Sequence, residues 1–210
     1  MRSDQKALAE IYSQIITESN GNKVIRGDVD LVDLYLTELP EWLIDVEVEG
    51  NFDCSKNLLT SLQGSPNTVR GAFNCDRNRL ITLQGAPKIV KDEFSCNYNR
   101  LTTLQGAPEK VGELFCVRNR LTSLKGSPIE VRGDFSCNYN RLTTLQGAPE
   151  TVRESFFCIY NRLTTLQGAP KDVGGDFFCR DNAVQFTKAD VRAVSNVRKQ
   201  VWTGYAGNSE

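Results

Sequence analysis

Val131-Arg-Gly-Asp-Phe135-Ser-Cys137-Asn-Tyr-Asn140-Arg-Leu142-Thr-Thr-Leu145-Gln-Gly147-Ala-Pro149 is one copy of a unit that the chain repeats seven times. All seven cysteines sit in it, at Cys54, Cys75, Cys96, Cys116, Cys137, Cys158 and Cys179. Successive cysteines are 21 residues apart except for one step of 20, from Cys96 to Cys116. Self-similarity at a fixed period of this length specifies a solenoid.

The unit has a physical reading. Phe135 and Cys137 alternate with polar residues, which is strand spacing. An asparagine follows every cysteine by three residues, at 57, 78, 99, 119, 140, 161 and 182. There the chain must turn, and an inward amide can bond backbone groups of its own turn and of the next. Leu142, Leu145 and Val131 fill the rest of the interior. Gly147 and Pro149 bend the chain on the far side, where proline costs no ladder hydrogen bond. One unit cannot bury its own apolar edge, but stacked units can.

The pattern Phe-x-Cys-x-x-Asn-x-Leu resembles the leucine-rich repeat. Phe135 and Cys137 take the place of the second and third leucines, Asn140 of the asparagine and Leu142 of the last leucine. Cysteine for leucine and the return segment Leu-x-Gly-x-Pro-x-x-Val are departures, and this variant resembles short repeat proteins of tailed bacteriophages and bacteria. The resemblance covers residues 31–186. It implies an α/β repeat fold, a leucine-rich-repeat solenoid with short parallel strands on a concave face. It also implies a protein partner bound on that face. It supplies no catalytic residue.

Composition narrows the function further. A net charge of −1 gives no bulk attraction to nucleic acid or to an anionic membrane. No apolar run is long enough for a transmembrane helix. The N-terminus lacks a signal-peptide core. Histidine is absent, which removes the commonest general base and metal ligand. No enzyme activity, metal or cofactor is expected. The cysteine column reads as a buried ladder of small apolar thiols, because stacked side chains point in parallel and their number is odd. That reading implies a reducing compartment, the cytoplasm, which is the host cytoplasm if the chain is phage-encoded.

The whole chain reads as a single domain, 1–210. Residues 1–22 are an N-terminal helical cap: Ser3 is the expected N-cap, and Leu8, Ile11, Tyr12 and Ile15 recur at helical spacing over 4–18. Residues 23–47 are a degenerate first turn without the asparagine. Its Leu39-Pro40 resembles the Leu-Pro steps in repeats of secreted bacterial effectors. Residues 48–186 are the seven regular repeats. Residues 187–210 are a C-terminal helical cap and tail. Its helix is expected over 187–202, with a capping box of Thr187 and Asp190, and Val191, Val194, Val197 and Val201 on the buried face.

Repeat-invariant residues build the stack, so function is expected in what varies. The outward strand positions flank each cysteine. They are polar in the first turns but Phe115, Val117, Phe157, Ile159 and Phe178 in the later ones, with Tyr139, Tyr160 and Arg180 at the border. These residues form the expected partner-binding patch, with Ser136 and Asn138 interrupting it as polar groups. A second column is Arg79, Arg100, Arg120, Arg141 and Arg162. Either it binds an anion or an acidic partner, or an acidic column at Glu93, Glu113, Asp134 and Asp176 neutralises it; neutralisation is the favoured expectation. The leading function is a non-enzymatic interaction module, in its specific form a phage-encoded anti-defence protein that inhibits a host defence or regulatory factor. The alternative is a binder of a small anionic or nucleotide ligand through the arginines and aromatics. The expected partner is a host protein rather than a membrane or a nucleic acid. A homodimer, or the Trp202–Tyr205 tail folded over the patch, would bury the same surface.

Overall fold

The computed structural model describes residues 3–204. Each turn of the chain contributes two short strands to a parallel solenoid. One strand ends on a valine, as in Thr68–Val69, Glu130–Val131, Thr151–Val152 and Asp172–Val173. The other begins on a phenylalanine, as in Phe52–Asp53, Phe73–Asn74, Phe135–Ser136, Phe156–Phe157 and Phe177–Phe178. Equivalent residues pair from turn to turn, Val152 with Val131 and Val173, and Phe156 with Phe135 and Phe177. The phenylalanines, cysteines, leucines and valines of the unit are buried in one continuous core. Phe52, Phe73 and Phe94 stack at 5.0 and 5.4 Å between ring centroids.

The turns are held together by their asparagines. Asn140 Oδ1 accepts the Leu121 N–H of the preceding turn at 3.0 Å. Its Nδ2 donates to the Cys116 carbonyl of that turn at 3.0 Å and to the Cys137 carbonyl of its own at 3.1 Å. Asn78, Asn99, Asn119 and Asn161 repeat the arrangement. Asn57 reaches the irregular first turn by accepting from both Leu34 and Leu36 N–H. On the opposite side Gly147, at φ +87°, lies so close to the turn before it that a Cβ would sit 2.6 Å from the Lys125 nitrogen. Only glycine fits there.

The single 20-residue interval also has a place. Three residues separate Val90 from Phe94, but two separate Val111 from Leu114. In these two turns the valine and phenylalanine strands fuse into Ile89–Ser95 and Lys110–Phe115. The register shift between them falls between Val90 and Glu93. Past it, Phe94 pairs Leu114 and Ser95 pairs Phe115 as in every other turn.

Both ends depart from the sequence expectation. Helix α1 spans Ser3–Tyr12, not 4–18. The β-branched run Ile15-Ile16-Thr17 then favours extended backbone, and Ile16–Thr17 pairs antiparallel with Lys23–Ile25. Ile11 enters the core, whereas Tyr12 is exposed and meets Trp42 edge-on at 5.3 Å. The Ser3 cap falls outside the side chains described. At the other end helix α2 is only Lys188–Arg192. Its capping box is formed as expected, Thr187 Oγ1 accepting the Asp190 N–H and Asp190 accepting the Thr187 N–H. The four valines are not one helical face. Val191 is buried, Val194 is exposed, and Val197 and Val201 lie in strands. Asn196–Val197 pairs with Asp172–Val173, and Val201–Trp202 with Phe177–Phe178. The open edge of the preceding turn thus outcompetes helix propensity and adds one more turn to the solenoid. Likewise Val29–Asp30 pairs Phe52–Asp53, so the first turn is regular on its strand side.

Replacing Asn140 by alanine leaves the buried Leu121 N–H unpaired and takes one of two amide donors from each of the Cys116 and Cys137 carbonyls, which keep Asn119 and Asn161. It should cost about 1–3 kcal/mol in denaturant unfolding. Asn140→Asp keeps the acceptor but sets a carboxylate against the Cys116 and Cys137 carbonyls. It should therefore be more stable near pH 4 than at pH 7. An aspartate variant indifferent to pH would contradict the ladder.

The thiols make a second prediction. Burial holds every cysteine well above the ordinary value of 9.0, Cys179 at about 12. A raised folded-state value means stability that is intact below the unfolded value and lost as pH climbs above it. The loss is about 1.4 kcal/mol per pH unit for each cysteine. Alkaline titration should unfold the protein cooperatively from about pH 9 upward, with thiolate absorbance appearing together with loss of circular dichroism. Thiolate formation ahead of unfolding would mean the ladder is open to solvent.

Candidate interaction face

The strand that begins on each phenylalanine continues through the cysteine to the asparagine turn, and its outward positions build the candidate site. Parity falls as the sequence implies. Leu114, Phe156 and Phe177 are fully buried, while Phe115, Phe157 and Phe178 point out and are half-buried. The outward rings stack on one another. Phe157 and Phe178 are parallel at 4.6 Å, and Trp202 continues the stack at 5.9 Å from Phe178. Trp202 therefore extends the aromatic column in register rather than folding over it. Tyr205 lies outside the described residues. The spacing Val197-x-x-x-Val201-Trp202 copies Val173-x-x-x-Phe177-Phe178, and that is the sequence signal which places the tryptophan here.

The polar interruptions are not free groups. Ser136 pairs with Phe115 on one side and Phe157 on the other and is only 5% exposed. Asn138 Oδ1 accepts the Ile159 N–H of the next turn, as Asn97 accepts that of Val117. Ile159 is itself 8% exposed, so it supports the face more than it projects from it. In the early turns the same positions hold Asp53, Asn74 and Asp76. Asp53 accepts from Asn74 Nδ2, and Asp76 from the Ser95 hydroxyl and the Asn97 N–H. That half of the face is closed by its own hydrogen bonds.

A third column, two residues past each cysteine, has an unforeseen backbone. Lys56, Arg77, Tyr98, Arg118, Tyr139, Tyr160 and Asp181 all adopt φ between 53 and 57°. None is glycine or asparagine, and apart from Asp181 nothing in their identity announces a left-handed residue. The repeated conformation projects their side chains in parallel, and they stack. Arg77 lies over the Tyr98 ring at 4.5 Å, Arg118 over Tyr139 at 4.6 Å, and Tyr139 is parallel to Tyr160 at 4.5 Å. Arg180 covers Tyr160 at 5.7 Å and pairs with Asp181 at 2.7 Å.

The arginine column is exposed at all five positions. The expected neutralisation does not occur. No carboxylate lies within ion-pair distance of Arg79, Arg100, Arg120, Arg141 or Arg162 among the described residues. The acidic column sits at the other end of the strand, before the phenylalanine, and has other uses. Asp134 accepts the Ser155 N–H and Asp176 the Gln200 N–H of the next turn. Glu93 and Glu113 pair in register, and each carboxyl is raised, first by burial and then by a neighbouring carboxylate.

Among the described residues no group of histidine, cysteine and carboxylate side chains is gathered to hold a metal ion, and no helix is long and apolar enough to cross a membrane. A groove of about 600 Å³ lies at the N-terminal end, lined by Leu8, Tyr35, Pro40, Glu41 and Ile44, away from these columns.

The chain is thus a parallel β-solenoid with an asparagine turn of the kind found in leucine-rich repeats. No family model and no curated protein matches it. A search of solved structures finds YopM from Yersinia enterocolitica WA-314, at 17% identity and a TM-score of 0.35 over 85% of this chain. The match covers half of that protein's length.

The left-handed column yields a stability prediction at Lys56, which joins no ring stack. Lys56→Gly removes a left-handed strain of about 1–2 kcal/mol and adds an unfolded-state entropy cost of roughly 0.5–1 kcal/mol. It should raise the melting temperature, whereas Lys56→Ala should leave it unchanged or lower. A glycine variant less stable than alanine would remove the strain argument.

Proposed function

We propose that the protein is a non-enzymatic interaction scaffold whose partner seats on the C-terminal half of the strand face. The contact would centre on Phe115, Phe157, Phe178 and Trp202, with Val117, Ile159, Tyr139, Tyr160 and Arg180 around them. One observation carries this reading: the outward rings continue in register across the last turns, although the same slot holds Asp53 and Asn74 in earlier ones. The fold therefore does not need aromatics there. From Phe115 to Trp202 the column spans about 19 Å of stack. Ser136 interrupts the column between Phe115 and Phe157, but Phe157, Phe178 and Trp202 are a continuous stack. An outward aromatic patch of this kind is the usual mark of an interface, and such anchors dominate binding energy. The resemblance of the repeat to those of phage proteins supports the specific form of the proposal, a host protein as partner and inhibition of a defence or regulatory factor as the outcome.

The test is the double variant Phe157→Asp/Phe178→Asp. These rings are only half-buried, so the variant should stay folded, with its seven thiols protected as in the wild type. A partner identified by affinity capture with the wild-type chain should bind it at least about thirtyfold more weakly. Wild-type dimers that the variant dissolves into monomers would assign the face to a second copy instead. Unfolding of the variant, or unchanged partner affinity, would reject the site.

A further inference from the structure

We propose that the corner bearing Arg79, Arg100, Arg120, Arg141 and Arg162 is a second binding surface, for an extended acidic segment of a protein. This surface is separate from the aromatic face and does not depend on it. Stacked like charges repel, and a structural ladder would neutralise them. Here all five guanidiniums are exposed and lack an ion-pair partner among the described residues. The adjoining left-handed column adds Arg77 and Arg118. Both are oriented by tyrosine rings rather than by carboxylates. A chain of net charge −1 therefore keeps a cationic track, rising about 4.8 Å per turn. Arginines held in such a row offer planar forks to successive carboxylates.

Two observations favour a polypeptide over a nucleic acid. Nucleic-acid tracks pair cations with free aromatic faces on which bases stack. The ring faces beside this track are already taken. Arg77 and Arg118 flank Tyr98, and Arg118 and Tyr160 flank Tyr139. The track is also short. Residues 28–53, just before it, contain nine carboxylates and no lysine or arginine. A long polyanion running along the stack would meet that repulsion. The five rungs span about 19 Å, the length of roughly six extended residues, and alternate side chains of such a segment face the track.

The experiment uses a fluorescent peptide alternating glutamate and serine over about eight residues, read by anisotropy against the full chain. It should bind at low ionic strength and weaken as salt screens the contact. Arg100→Gln/Arg120→Gln/Arg141→Gln should reduce affinity roughly tenfold or more, with thiol protection unchanged. The uncharged variant Phe157→Asn/Phe178→Asn, which copies Asn74 in the same slot, should bind the peptide as the wild type does, which keeps this outcome distinct from that of the aromatic face. Three results would each overturn the proposal: no binding at low salt, binding that the arginine variant retains, or tighter binding of a single-stranded oligonucleotide carrying the same charge.

Discussion

The structure depends on one side-chain amide per turn. Each repeat asparagine uses its oxygen for a backbone N–H of the preceding turn and its nitrogen for carbonyls of both turns. A buried amide with so many obligations fixes the distance and register between turns, because a slip would strand several polar groups at once. The same demand explains the residue before it. To aim the asparagine inward directly after a strand, the chain reverses through a left-handed residue. Its N–H is then used across the stack, as Tyr139 donates to Ile159. The local strain is tolerated because the ladder over-determines it. Cysteine suits the neighbouring position for a related reason. It is small and apolar, and in several turns its Sγ donates to the carbonyl of the residue before the next cysteine, from Cys116 to Ser136 and from Cys158 to Phe178.

With the interior and most backbone groups committed, diversity is confined to a few outward columns, and those columns change character along the axis. At the N-terminal end the polar residues bond to one another and to the next turn's backbone. At the C-terminal end the rings stack, and apart from the Trp202 indole N–H they carry no polar group. The two halves of one face therefore differ in what they can offer a partner. The polar half has spent its donors and acceptors on itself. The aromatic half retains apolar surface whose removal from water remains available as binding energy.

The period and the strand parity were legible because both are properties of residue type at fixed spacing. Phe156 inside and Phe157 outside follow from alternation alone. The left-handed column was not legible: Lys, Arg and Tyr fill six of its seven positions, and none of these signals positive φ; Asp181 alone is of a type that visits that region. The ends were misread through competing periodicities. Val191, Val194, Val197 and Val201 fit a helical face, but Val197 and Val201 also carry the repeat's own valine-to-phenylalanine spacing. An open sheet edge rewards the second pattern with backbone hydrogen bonds that a short exposed helix cannot match. The arginine column was placed correctly in sequence but not in electrostatics. Neutralisation by Asp134 and its equivalents needs both groups at one end of the strand, and the strand holds them apart.

The one shortened interval shows how strongly the face is protected from change. The missing residue falls between Val111 and Leu114, in the link between the valine and phenylalanine positions, where a Cβ on Gly112 would sit 2.5 Å from the Asp92 carbonyl oxygen. A bulge in the neighbouring turn absorbs the difference, and beyond it the pairing of Phe94 with Leu114 and Ser95 with Phe115 is undisturbed. A deletion between the cysteine and the following leucine would have shifted Asn119, breaking its bonds to Leu101 and Cys96. It would also have displaced Arg118 from between Tyr98 and Tyr139. The link is the part of the turn that touches neither the asparagine ladder nor the outward columns. Length variation is therefore tolerated there, and every column on the strand face runs unbroken through the short turn.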